Sequence, residues 1–339
     1  MTRSEMREIM TLMNRNDNYC QGAPQQVTNG LYRMLEALNI IIETVDERKQ
    51  VASDLSDILS TFHSNERFCE SAPQQSANCV YRVVEMMQLL IRLLDEGGTG
   101  KSEAASVIDS LNTNERYCES SPQQIANGAY RLAEMTQVLV DTVAPHLSSQ
   151  TRDIISAMNR QNNYCQGAPQ QSANGTEAVA CMVELLARDM DKEKKYSSDI
   201  SDISQRKTRI NSMCEGADQQ SANYLYRTME LIQVITDLMI DGYEARTAAY
   251  WAEHAEEKQA LLDKKAENLK TIGEIKAEAS AVNADAEIAP IKEEIRRLTD
   301  EKNRCGQEQL DAVKKRIRAA EEEKAAIGFF KFSDKKAKA

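Results

Sequence analysis

The chain has 339 residues and a net charge of −11, with 42 Lys and Arg against 53 Asp and Glu. That balance argues against a general nucleic-acid binder, which needs clustered cations, though a local basic groove stays open. Five Phe, one Trp, six Pro and 13 Gly favour helices over sheets, and the length allows about two domains.

Met1 to Met10 carries Arg3, Glu5, Arg7 and Glu8 and no apolar core, so no secretory signal is expected there. No run is apolar enough to span a bilayer; Met86 to Leu94 is interrupted by Gln88 and Arg92. A cytoplasmic location with reduced thiols is the expectation.

From the N-terminus a short helix is predicted over Ser4 to Met13, then an Asn-rich link at Asn14, Asn16 and Asn18, because Asn favours turns. Next comes Tyr19-Cys20-Gln-Gly-Ala-Pro-Gln-Gln-Val-Thr-Asn29, which recurs from Phe68, Tyr117, Tyr164 and Met213. The cysteines of the five copies, Cys20, Cys69, Cys118, Cys165 and Cys214, are spaced 49, 49, 47 and 49 residues apart. A period of this size marks a stacked helical array. Further short helices are expected over Ser53 to Phe62, Glu103 to Leu111 and Thr151 to Met158, as apolar spacing such as Leu55, Ile58, Leu59 and Phe62 indicates.

Each cysteine is followed by a helix start. Ser71 with Gln74, and Ser120 with Gln123, read as capping boxes with a proline in the first turn. Gly22, Gly167 and Gly216 take the cap elsewhere. The long helix of the third copy is predicted from about Ser121 to Val143, with an apolar stripe of Ile125, Ala129, Leu132, Leu139 and Val143. Gly97 to Ser102 looks like part of a phosphate loop. Asp95 stands where that motif needs glycine, and a helix precedes it, so it reads as the flexible link between copies two and three.

The expected fold class is all-α: five tandem helical-hairpin repeats over 1–242, forming an α-solenoid or superhelical bundle. The likeness to armadillo, HEAT and tetratricopeptide proteins is one of architecture only, since period and motif match none of them. Residues 243–326 are rich in Ala, Glu, Lys and Ile and suit a long helix or hairpin, a coiled-coil arm. Within it Pro290 would start a second helix, with a break at Cys305–Gly306. The aromatic-basic tip, 327–339, holds Phe329, Phe330, Phe332 and three lysines, and is expected to fray.

With each cysteine as zero, polar residues recur. Position five is Gln25, Gln74, Gln123, Gln170 and Gln219, and position nine is Asn29, Asn78, Asn127, Asn174 and Asn223. Position twelve is Tyr32, Tyr81, Tyr130 and Tyr226, position thirteen Arg33, Arg82, Arg131 and Arg227, and position sixteen Glu36, Glu85, Glu134 and Glu230. These fall on one helical face. Asn stays while its neighbours drift, and the fourth copy keeps Gln170 and Asn174 but has Glu177, Ala178 and Cys181 in place of Tyr, Arg and Glu. Two uses fit. A row of amides can hold an extended peptide or protein partner without reading its sequence. Alternatively the row bonds neighbouring repeats or subunits together, as in a self-assembling protein.

One thiol per copy and three histidines, His63, His146 and His254, do not make a metal site, and no metal or cofactor is expected. The preceding aromatic and the helix start make each cysteine read as a small buried hydrophobe at the turn. No nucleophile–histidine constellation is visible, so the chain reads as a non-catalytic scaffold for a protein partner, with homo-oligomers open.

Overall fold

The computed structural model describes residues 2–165, 167–281, 284–304 and 314–319, and these are helices joined by turns, with no strand among them. The chain divides into two compact units, residues 1–248 and 249–339.

Five helix pairs fill the first unit. They are α1 (Arg3–Asp17) with α2 (Ala23–Val45), α3 (Ala52–Glu66) with α4 (Ala72–Leu94), and α5 (Thr99–Glu115) with α6 (Ser121–Val143). Then come α7 (Ser148–Asn162) with α8 (Ala168–Met190), and α9 (Ser197–Asn211) with α10 (Ala217–Glu253). The helix α10 runs on through Gly242, where the repeat region was expected to end.

The short helices are longer than their apolar spacing suggests. Asn14 and Asn16 lie inside α1, Asn65 inside α3 and Asn114 inside α5. Tertiary packing overrides their turn preference: Met6, Ile9, Met10 and Met13 are buried along α1, and α1 carries the hairpin down to Asp17. Thr2 opens α1 with a reciprocal capping box, its Oγ1 accepting from Glu5 N at 3.2 Å while its own N–H donates to Glu5 Oε2 at 2.6 Å.

The capping boxes expected at Ser71 and Ser120 are not formed, since neither hydroxyl bonds its helix. Pro73 and Pro122 remove the second N–H of each helix, while the third, of Gln74 and Gln123, is present but not bonded by the serine. The glutamine instead reaches one residue further back: Gln74 Oε1 accepts from Glu70 N and Gln123 Oε1 from Glu119 N, both at 2.6 Å. Gly22 and Gly167 cap α2 and α8 as expected.

The link after α4 is built around a carboxylate. Asp95 accepts from Lys101 N at 2.8 Å and from Gly97 N and Gly98 N at 3.0 Å, and these bonds lower its carboxyl pKa. Gly98 has φ +82°, where a Cβ is strained, and α5 begins at once. Asp46 and Asp191 clasp the corresponding links after α2 and α8.

The long helices pack side by side through position ten. A Cβ on Gly128 would stand 2.3 Å from Val80 Cγ1, and one on Gly175 would stand 2.8 Å from the Ala129 carbonyl carbon. One on Gly30 would stand 3.0 Å from Leu225 Cβ. Position ten of each of these copies therefore meets position eleven of the copy before it, and for the first copy that neighbour is the fifth. Arg3 of α1 also pairs with Asp241 of α10 at 2.5 Å. The array closes on itself instead of continuing as an open solenoid. The long helices form an inner ring, and the short ones pack outside it.

Along the inner helices, positions eleven, fourteen, eighteen, twenty-one and twenty-five alternate steps of three and four, the heptad spacing of a coiled-coil seam. Leu31, Val80, Ala129, Thr176 and Leu225 make one buried layer across the ring. Val45, Leu94, Val143, Met190 and Met239 make the last layer, at the C-terminal ends of α2, α4, α6 and α8 and partway along α10. Between these two layers lies an axial cavity of about 260 Å³ lined by all five inner helices.

The second unit contains α11 (Ala255–Ala281) and α12 (Ala284–Arg304). The sequence reading has Pro290 start a second helix; instead it lies inside α12, six residues after its first residue Ala284. A mid-helix proline removes one backbone bond at a cost of about 3 kcal/mol, but it is followed by a run of good helix formers, Lys292 to Arg297. Leu298 is buried, and Arg316 lies 3.6 Å from Glu294 and 3.8 Å from Glu301. Cys305–Gly306 and the tip at 327–339 lie outside the described residues.

Candidate functional site

At the turn end of the ring each short helix passes into its long partner over a few residues. The backbone there is pinned. The N–H groups of Tyr19, Phe68, Tyr117, Tyr164 and Met213 donate to the carbonyl three residues back at 2.9–3.0 Å. Their side chains stay 77, 82, 78, 86 and 65% exposed. The sequence reading gives a buried cysteine at this turn and no separate role to the residue before it. It points outward because the following cysteine takes the inward position.

Each thiol of the five donates to the carbonyl four residues back, for example Cys20 to Asn16 O at 3.5 Å and Cys214 to Ile210 O at 3.3 Å. Partial burial raises the thiols of Cys20, Cys69, Cys118 and Cys214, the opposite of activation. These cysteines close the end of a helix. No group of three or more metal-ligating side chains occurs among the described residues.

The predicted glutamines are exposed, yet their carbonyls are occupied. Gln25 Oε1 accepts from Gln21 N at 2.5 Å and Gln219 Oε1 from Glu215 N at 2.6 Å, as at Gln74 and Gln123. Gln170 instead donates to Asn174 Oδ1 at 3.4 Å.

The asparagines turn inward. Asn29, Asn174 and Asn223 are buried, and Asn78 and Asn127 half-buried. Their Nδ2 groups donate to a carbonyl in the last turns of the short helix, sixteen residues back: Asn29 to Met13 O at 2.9 Å, Asn78 to Phe62 O at 3.1 Å, Asn127 to Leu111 O at 3.0 Å and Asn223 to Lys207 O at 2.9 Å. Asn174 departs and donates to Asn162 Oδ1 at 2.9 Å. The row expected to offer free amides to a peptide backbone thus ties each long helix to its own short partner.

Position twelve adds bonds between copies. Asn127 Nδ2 donates to Tyr81 Oη at 2.9 Å and Asn29 Nδ2 to Tyr226 Oη at 3.0 Å, the latter joining first and fifth copies. Tyr226 in turn donates to Asp17 at 2.8 Å. Tyr130 donates to Asn159 at 2.7 Å, and Tyr32 to Glu66. Burial raises all four phenols, with Tyr81 pushed up to about 12.

Positions thirteen and sixteen pair along each helix. Arg33 lies 2.6 Å from Glu36, Arg82 2.7 Å from Glu85, and Arg227 2.9 Å from Glu230; Arg131 pairs with Glu134 in the same way. Burial raises the Glu36 and Glu85 carboxyls against the lowering by their arginines, so these pairs are costly to desolvate and add little net stability. In the fourth copy, where the pair is missing, Lys207 of α9 reaches in. Its Nζ lies 2.8 Å from Glu184 and 3.7 Å from Cys181 Sγ.

One set of predicted residues lines an open crevice. Gln74, Asn78, Tyr81 and Arg82 surround a cavity of about 290 Å³ between copies two and three, with Phe68, Cys69, Glu115 and Gln124. The exposed Phe68 stands at this crevice. Two features escaped the reading of the sequence. The exposed apolar residue was given no role of its own, although its recurrence ahead of every cysteine was visible. The small residue at position ten carried a signal that the close approach of the neighbouring helix explains, through Leu225 at Gly30, Val80 at Gly128 and the Ala129 backbone at Gly175.

Comparison with known protein families, with curated proteins and with solved structures found no match. No helix among the described residues is long and apolar enough to cross a membrane.

Proposed function

We propose that the chain is a non-catalytic helical scaffold that binds a protein partner at the turn end of its ring. The observation that carries this reading is the pinned, outward-facing set Tyr19, Phe68, Tyr117, Tyr164 and Met213. A large apolar side chain exposed once is ordinary. Five at equivalent places round one end, each on an ordered backbone, form a pre-organised surface of the aromatic-rich kind that binding hot spots favour. The crevice beside Phe68 supplies polar groups at the same end from Gln74, Arg82, Glu115 and Gln124.

The second reading assigns the repeated polar residues to holding the repeats together. It is supported for the Asn and Tyr rows by their bonds to neighbouring helices. The two readings divide the repeat between them, with positions nine and twelve internal and the residue before the cysteine external.

The test replaces Tyr19, Phe68, Tyr117, Tyr164 and Met213 together with Ser in the full chain. Stability should change by no more than about 0.5 kcal/mol per site, as for surface substitutions. Proteins captured from source lysate by the parent should be lost by the variant, and light scattering shows whether the captured partner is a second copy. Equal capture by a folded variant overturns the proposal.

A further inference from the structure

The axial cavity lies beyond the turn end and is used by nothing described so far. We propose that it is a binding site for one unbranched aliphatic chain with an uncharged head, entering between the C-terminal ends of α2, α4, α6 and α8 and the flank of α10.

The lining excludes polar occupants. Among the residues that line it, the hydroxyls belong to Thr136 and Thr228. Both are spent within their own helices, on Leu132 O at 2.7 Å and Tyr224 O at 2.8 Å. About 260 Å³ is the liquid volume of roughly nine waters, and a buried water needs two to four polar partners. Water has no such partners here, while an apolar guest gains contacts all round.

Shape narrows the class. The lining runs from position fourteen to position twenty-five, eleven residues of helix or about 16 Å. That length and volume describe a bore about one hydrocarbon chain wide. It has a floor, since Leu31, Val80 and Leu225 are each 1% exposed in the layer below. It has a rim, where Leu94, Val143 and Met239 are 36, 43 and 36% exposed. Helix C-termini carry partial negative charge, so a carboxylate head at this rim is disfavoured.

The test uses the delipidated full chain with 1-dodecanol and dodecanoate as ligands, followed by calorimetry and native mass spectrometry. One dodecanol should bind per chain, with dodecanoate weaker by about tenfold. In Val183→Trp the indole fills the bore, and dodecanol affinity should fall at least about tenfold while the melting temperature holds or rises. In Thr228→Ile the deep end is shortened without a lost interhelical bond, and preference should move to shorter alcohols. This second variant decides the matter if Val183→Trp fails to fold. Absence of saturable dodecanol binding, or unchanged affinity and chain-length preference in a folded variant, overturns the site.

Discussion

Asparagine at position nine and the apolar residue before the cysteine recur in all five copies, yet one is turned in and the other out. Asn29, Asn78, Asn127 and Asn223 each tie a long helix to a short one, whereas Tyr19, Phe68, Tyr117, Tyr164 and Met213 touch mostly solvent. Repetition in a chain shows that a residue has a use in every copy. Whether that use is internal or external is decided by its bonding partners: a buried polar group must be paired, and an exposed apolar one needs an occupant to gain anything.

The sharpest way to break the inner side of this contrast is at position ten. Gly175→Leu drives a side chain into the Ala129 backbone, which has no rotamer to yield. A loss of about 3 kcal/mol or more is expected in chemical denaturation, and a neutral result would mean that the ring is not packed through this residue. Asn127→Ala comes next, because it leaves Leu111 O short of a donor and Tyr81 Oη without its amide. The expected loss is on the order of 1–3 kcal/mol. A double-mutant cycle with Tyr81→Phe should show coupling, and strict additivity would separate the two residues.

Alkaline titration gives a smaller effect. Tyr81 is buried, and desolvation moves it from 10.0 up to about 12. The folded chain therefore keeps a proton that the unfolded chain has already released. Its contribution is present in full below pH 10 and drains away as pH rises towards 12, by roughly 1–3 kcal/mol. Urea denaturation between pH 9 and 11.5 should show this fall, shallower in Tyr81→Phe. An unchanged slope in that variant would place the phenol in water.

The five-fold period, the pairing of a short with a long helix and the inner apolar stripe were legible because they are local or periodic. Ring closure was not. It depends on Gly30 meeting Leu225, a contact that no spacing within one copy encodes. The ends of the short helices were misread where Asn14 and Asn16 look like turn residues but are held helical by packing. The serine caps were misread because Gln74 and Gln123 bond Glu70 N and Glu119 N, one residue before each serine, and leave the reciprocal half of the box unmade. At the candidate site the polar face was found and its direction was not: Asn and Gln give the same pattern whether they bond a guest or a neighbouring helix.

The bond from Asn29 to Tyr226 joins residues 197 apart in the chain. During synthesis the first hairpin emerges with one flank unmatched and stays so until the fifth has been made. An open array can gain or lose a hairpin at either end and remain a sound array. Here a sixth hairpin has no place to join, and a missing one leaves both Gly30 and its would-be neighbour facing water. Copy number is thereby tied to the meeting of Gly30 with Leu225, whereas a longer link between hairpins leaves that contact in place.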